Sequence, residues 1–205
     1  MEIIRASIND TDIFTKDELN FGACCFYTED RKNKYFFEIK GFNATIFSNT
    51  CGFIDDVIDE FMFYSGFITT VKDSNGNILR EKLNRKPFLL DISIIQPSQF
   101  FINKSKLENC LTWIKNLCNI FIPITIRENE YISLDGHTRI KAALELGYTH
   151  VNVYFDECNV YIFNFVEEAK KRNIFSVSQM ELLDNEEYEL RWNRYCDDFF
   201  ASQYL

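Results

Sequence analysis

Residues 131–148, YISLDGHTRIKAALELGY, decide how this chain is read. An apolar run from Tyr131 to Leu134 breaks at Asp135-Gly136-His137-Thr138-Arg139 and passes at once into an alanine-rich helical pattern. Ile140, Ala143, Leu144 and Gly147 then fall on one helical stripe, with Gly147 placed as the C-terminal stop. A helix that starts just after a strand leaves its first N–H groups unpaired and the positive end of its dipole exposed, which suits a phosphate. Gly136 lets backbone approach such an anion closely, Arg139 can fork onto its oxygens, and His137 and Thr138 can donate hydrogen bonds to it. Asp135, at the strand end, is placed to coordinate a nucleotide's Mg²⁺ or to take a proton from an attacking hydroxyl. A plainer reading of the same five residues has Asp135 or Thr138 capping the helix, with His137 and Arg139 on the surface.

Working outward, residues 122–126 and 131–134 read as strands joined by the polar turn Glu128-Asn129-Glu130, and a further strand follows at 151–155. Upstream, 91–95 reads as a strand and Pro97-Ser98 as a turn. Ser105-Lys106-Leu107-Glu108 reads as a capping box that opens a helix with Leu107, Cys110, Leu111, Ile114 and Cys118 on its apolar face. Downstream, 161–172 is helical and Ser178 to Glu181 has the pattern of a second cap. Tyr188, Trp192, Tyr195, Cys196 and Phe199 line one face of a last helix, an aromatic stripe that reads as packing.

Before residue 85 the pattern is again mixed. Strands are expected at 35–40 and 44–47, a helix at 53–63 with Phe53, Val57, Ile58 and Phe61 aligned, and a hairpin about Asn75-Gly76. The charged stretch 80–86 is the best boundary. The expected fold is therefore mixed α+β: an α+β segment over 1–85, a small mixed-sheet domain over 86–157 and a helical tail over 158–205.

From Leu90 to Glu157 these elements in their order resemble the ParB/sulfiredoxin superfamily domain. The opening strand with Pro97-Ser98, the helix through Leu107, the Ile122-Pro123-Ile124 strand, the D-G-H-x-R box, the helix with Ala142-Ala143 and Gly147, and the final valine strand carry the resemblance. Partition-type ParB proteins cradle a nucleotide triphosphate with a G-E-R-R box, which Gly136, His137, Thr138 and Arg139 would match. They also carry a DNA-binding region afterwards, where this chain has a short acidic tail. Sulfiredoxins need a cysteine just before the His-Arg of their box, and none stands here. Free-serine kinases of the superfamily carry D-G-H-H-R, the closest form to Asp135–Arg139. That likeness implies Asp135 and His137 as catalytic and phosphate-binding residues and an adenine nucleotide as phosphoryl carrier, with ADP, ATP or CTP as the candidate nucleotides and Mg²⁺ beside them. Those kinases use a glutamate shortly after the proline of the preceding turn. Gln99 holds that position here, and an amide cannot take a proton as a carboxylate does.

Composition bounds the alternatives. The chain has 205 residues, 46% hydrophobic and 16% aromatic, enough to build a core and too apolar for disorder. Its 22 basic and 31 acidic side chains give −9, which weighs against duplex DNA as the main partner. No basic stretch leads into an apolar one at the start and no apolar run has membrane-spanning length, so a cytoplasmic protein without a membrane partner is expected. Seven cysteines without metal-ligand spacing read as reduced thiols, with adjacent Cys24 and Cys25 singled out for reactivity. Asp156-Glu157 could add a carboxylate near the box or form a solvated turn. His150 reads as a loop residue, and Arg80, Lys82, Arg85 and Lys86 as a basic cluster or solvated linker. The phenylalanines of the first 85 residues, among them Phe61, Phe63 and Phe67, suggest a cover for the box domain or a homodimer surface. The expected function is nucleotide-phosphate binding, extending to phosphoryl transfer onto a small hydroxyl substrate such as free serine. A non-catalytic regulatory module and a nucleic-acid-binding protein are the alternatives.

Overall fold

The computed structural model describes residues 2–7, 9–19, 24–82, 86–114, 116–117 and 120–202. Cys118 and much of the charged boundary stretch, residues 83–85, lie outside them. The fold is mixed α+β, in two compact units of residues 1–85 and 86–205.

In the first unit, among the described residues, β1 (Ile3–Arg5), β2 (Cys25–Thr28), β3 (Lys34–Lys40), β4 (Asn43–Ser48), β5 (Thr70–Lys72) and β6 (Ile78–Glu81) lie side by side in chain order. The short helix α1 (Lys16–Leu19) joins β1 to β2. All neighbours are antiparallel except β4 and β5, and a parallel pair needs a long crossover, supplied by α2 (Ile54–Tyr64). Phe53 does not share the stripe of this helix. It precedes the first turn in a left-handed conformation and is 39% exposed, while Val57, Ile58 and Phe61 are fully buried. Phe61 stacks on Phe37 of β3 at 3.8 Å between ring centroids. The hairpin turns where expected, because the Asp73 carboxylate accepts the N–H groups of Asn75 and Asn77 while Gly76 takes the positive φ. The basic cluster is partly neutralised, Arg80 being paired with Asp55 and Asp59.

The second unit curls its sheet. β7 (Phe88–Asp91) and β8 (Ile95–Pro97) are joined by one 3₁₀ turn, Ile92–Ile94, which replaces the single strand expected over 91–95. Yet the strand order is β7, β12 (His150–Phe155), β10 (Phe121–Arg127), β11 (Glu130–Ser133), β8, so that β7 and β8 are opposite edges. In a flat sheet those edges would stand roughly 19 Å apart, four spacings of about 4.8 Å. The connecting residues reach at most about 14 Å even when extended. The sheet must therefore bend round until its edges approach, and the bend encloses Ile95, Ile122, Ile124, Val151 and Val153, all fully buried.

The strand β9 (Phe101–Asn103) leads straight into α3 (Lys104–Trp113). Its cap is Asn103, whose side chain accepts from Lys106 N–H at 2.9 Å, rather than the expected Ser105 box. Helix α4 (His137–Glu145) follows the box, and its fully buried Ala142 and Ala143 let neighbouring elements pack close. Gly147 takes φ +82° beyond its end, as a left-handed stop requires. After α5 (Tyr161–Lys171), the capping box is Ser176 with Gln179, not Ser178, and it closes only a 3₁₀ turn. The chain then forms β13 (Glu181–Leu183), pairing in parallel with β9, followed by α6 (Asn185–Tyr188), a π turn and α7 (Arg194–Ser202). The aromatic stripe packs as expected: Trp192 and Tyr195 stand edge-on to Phe100 at 5.1 and 5.0 Å, and Phe199 lies 4.7 Å from Phe165. No helix among the described residues is long and apolar enough to cross a membrane.

Cys24 and Cys25 are buried in the first unit, and desolvation pushes both thiols up to about 12. Only a thiolate alkylates readily. Brief iodoacetamide treatment of the native protein at pH 7.5, followed by peptide mass spectrometry, is expected to label exposed Cys51 and leave Cys24 and Cys25 unmodified until denaturant is added.

Candidate functional site

Register places the site. β8 and β11 are parallel with Pro97 opposite Ser133, so the turns that begin at Ser98 and Leu134 leave the sheet together at one end. The strand β10 runs antiparallel to β11 and parallel to β12, so Asp156-Glu157 leaves toward the opposite end, away from Asp135. His150 pairs with Asp91 across β7 and β12 and takes a hydrogen bond with Thr149 Oγ1 through its Nδ1.

At the shared end, Ser98 binds the box turn in two ways. Its hydroxyl donates to the Ser133 carbonyl at 2.7 Å, and its backbone N–H donates to His137 Nε2 at 3.1 Å. Since Nε2 accepts, the neutral imidazole carries its proton on Nδ1. His137 is only 4% exposed, and burial drives its pKa down to about 4 despite the opposing charge of Asp135. His137 is thus a neutral, inward-facing tie between the two turns, not a residue presented to solvent.

Gly136 sits at the helix cap with φ +80°, a conformation that favours glycine. A side-chain carbon there would lie 2.7 Å from Ile122 Cδ1 and 3.0 Å from an Arg139 guanidinium nitrogen. No side chain caps α4, so the plainer reading of Asp135 or Thr138 as the cap does not hold. Asp135 instead accepts from Arg139 at 3.1 Å. Its carboxylate is mostly open to solvent, while Arg139 is three-quarters covered. The surrounding protein acts to raise the Asp135 carboxyl, but the Arg139 charge, the Gly136 N–H and His137 outweigh it and hold the group below its usual range. Asp135 is therefore ionised at neutral pH.

Gln99, the third residue of the upstream turn, is half-buried and donates through Nε2 to the Phe101 carbonyl and to the Tyr188 hydroxyl, both at 2.7 Å. Lys106 Nζ lies 5.2 Å from the centre of the Tyr188 ring. Ser98, Lys106 and Tyr188 are the residues that sequence reasoning did not single out. Ser98 was in the quoted turn, and Tyr188 was visible as part of the packing stripe, but nothing local marked either as polar partners of the box. A cleft of about 820 Å³ lies elsewhere, in the first unit between Thr11–Thr15 and the β3–β4 face.

No family model matches the chain, and no curated protein matches it in sequence. Among solved structures, protein Atu1540 from Agrobacterium tumefaciens is similar over 44% of this chain and 50% of its own, at 15% identity and a TM-score of 0.32. The likeness spans about half the length of that chain and is too slight to bear on the site.

Replacing Gly136 by alanine is expected to lower stability by at least ~1–2 kcal/mol, the cost of a left-handed residue, with the Ile122 clash added. Urea denaturation measures it. A second test concerns pH. The folded pKa of His137 lies below the unfolded value near 6.5, so the unfolded chain binds the extra proton between about 6.5 and about 4. Stability should therefore fall as pH drops through that window, and His137→Gln, which keeps an acceptor for Ser98 but does not titrate, should flatten the slope.

Proposed function

We propose that the second unit is a ParB/sulfiredoxin-like domain that binds a nucleotide phosphate at the first turn of α4. The observation that carries this reading is the helix start itself: Gly136 in a left-handed cap, no side chain over the first N–H groups, and Arg139 held beside them by Asp135. Such a turn offers donors and a positive dipole end to an anion. Thr138, half-buried in the same turn, adds a hydroxyl donor, and Lys106, whose ammonium lies over the Tyr188 ring, is the second cation of this reading. His137 contributes by fixing the turn through Ser98.

A magnesium–nucleotide complex fits these residues. Mg²⁺ keeps several waters and takes one or two carboxylates plus substrate phosphates, and Asp135 is an exposed, ionised carboxylate at this place. Among the described residues no group of three or more histidine, cysteine, aspartate or glutamate side chains gathers for a metal, so the ion would arrive with the nucleotide. When bound, it neutralises phosphate charge.

Phosphoryl transfer onto a small hydroxyl compound is the reaction this arrangement serves. The substrate oxygen forms a bond to the terminal phosphorus, the bond to the nucleotide's bridging oxygen breaks, and the hydroxyl proton passes to Asp135. Gln99 takes no proton, since an amide is not a base near neutral pH, and its nitrogen donates to Phe101 and Tyr188. Arg139 and the N–H groups of the first turn hold the phosphate oxygens.

Calorimetric titration of ADP, ATP and CTP with Mg²⁺ tests this reading. At least one nucleotide should bind, and Arg139→Ala should weaken it by about tenfold or more, the loss of a charged hydrogen bond. A folded protein that binds none of the three overturns the proposal.

A further inference from the structure

Gln99 stands where a carboxylate would be expected, but its hydrogen bonds give it a distinct task. Its amide nitrogen donates both to the Phe101 carbonyl and to the Tyr188 oxygen, each at 2.7 Å. The first bond fixes the amide orientation, because turning it over would set two acceptor oxygens against each other. Tyr188 must then receive a hydrogen bond from Gln99, and its own proton points elsewhere. Among the described residues that proton has no acceptor, although the tyrosine is only 6% exposed. The oxygen has a partner in Gln99, and the proton is left available to an incoming acceptor.

We infer that Tyr188 is a ligand contact of the same site, donating its phenolic proton to an oxygen of the bound phosphate, and that Gln99 is the positioning residue that turns the proton toward it. The inference rests on the nucleotide-phosphate reading and deepens it. The phenol is placed beside that site by Gln99, which holds it and belongs to the turn whose Ser98 grips His137; Lys106 lies over its ring. Burial, opposed by the Gln99 bond and assisted by Asp135, pushes the phenol up to about 12, so the proton is retained at neutral pH. A glutamate at position 99 would do the reverse. It would accept the phenolic proton, turn it away from the ligand and set a negative charge beside an anion. The ligand class that fits a phenol donor, Arg139 and Lys106 together is a phosphoryl oxyanion.

The test uses the full chain and the nucleotide that binds best in the titration, with inorganic pyrophosphate as a second probe. Tyr188→Phe removes only the hydroxyl and keeps the ring in the core. It should weaken binding by about tenfold or more while the thermal midpoint stays near that of the parent. Gln99→Met should also weaken binding, but should add little in the Tyr188→Phe background, because the two act as one unit. Gln99→Glu should weaken it more than Tyr188→Phe does. Unchanged affinity in Tyr188→Phe, with the parent binding normally, overturns the inference and leaves the phosphate site standing, and so do fully additive losses from Gln99→Met and Tyr188→Phe. No binding by the parent chain to any nucleotide or to pyrophosphate removes both readings.

Discussion

The hydrogen bond from the Ser98 N–H to His137 Nε2 holds together the two turns at one end of the second unit's sheet, and much depends on its being buried. Parallel pairing of β8 and β11 brings the turns out at the same end of the sheet, but it does not fix the first turn of α4 against the loop beyond β8. The clasp does, at 3.1 Å in a site from which water is excluded. An unpaired backbone N–H there would cost about 1–3 kcal/mol, so the imidazole must be present and neutral. Neutrality in turn follows from burial, which outweighs the attraction of Asp135 for a protonated ring. The same histidine that resembles a phosphate ligand in the sequence is thereby tied into the architecture, which in the proposed function leaves the anion-facing work to Arg139, Thr138 and the backbone.

Parts of this arrangement were legible in the sequence because they are local. The alternation before Asp135, the helical stripe after Arg139 and the Gly147 stop each rest on contacts within a few residues, and each element lies close to its expected bounds. The Gln99 position also came from within a short stretch, whereas the Asp135–Arg139 pair, though four residues apart, was not read from it. What stayed hidden is non-local. Ser98 and His137 are 39 residues apart, Gln99 and Tyr188 are 89 apart, and no periodicity encodes either meeting. Short elements were also lost: three residues in β1 or β13 carry too little pattern to stand out, and the 3₁₀ break between β7 and β8 reads as one strand because both flanks are apolar. Asn103 was passed over as a cap since the Ser105 box lay two residues on and looked stronger.

The first unit follows the same division. The turn signal Asp73 to Asn77 sufficed to place the β5–β6 hairpin, while β1 and β2 went unread. The crossover through α2 needed more, because the parallel pairing of β4 with β5 depends on Phe61 finding Phe37 across the sheet face. Phe53 shows why spacing alone misleads at a helix start: a residue one turn before Val57 still aligns with the stripe, but outside the helix its side chain goes to solvent.

The negative charge of the whole chain is compatible with the proposed anion site for a reason of range. At physiological ionic strength charges separated by more than about 8 Å are largely screened, so the −9 total acts weakly on a phosphate already seated. A phosphate at the proposed site would meet the open first turn of α4 and Arg139, with Asp135 as the nearest opposing charge. Asp135 pairs with Arg139 at rest, so the turn is close to charge-balanced before any ligand arrives. Affinity there has to come from directed donors rather than from net positive charge. Directed donors are what burial and the Ser98 clasp preserve, so that in the proposed function recognition would rest on the precision of the turn more than on its charge.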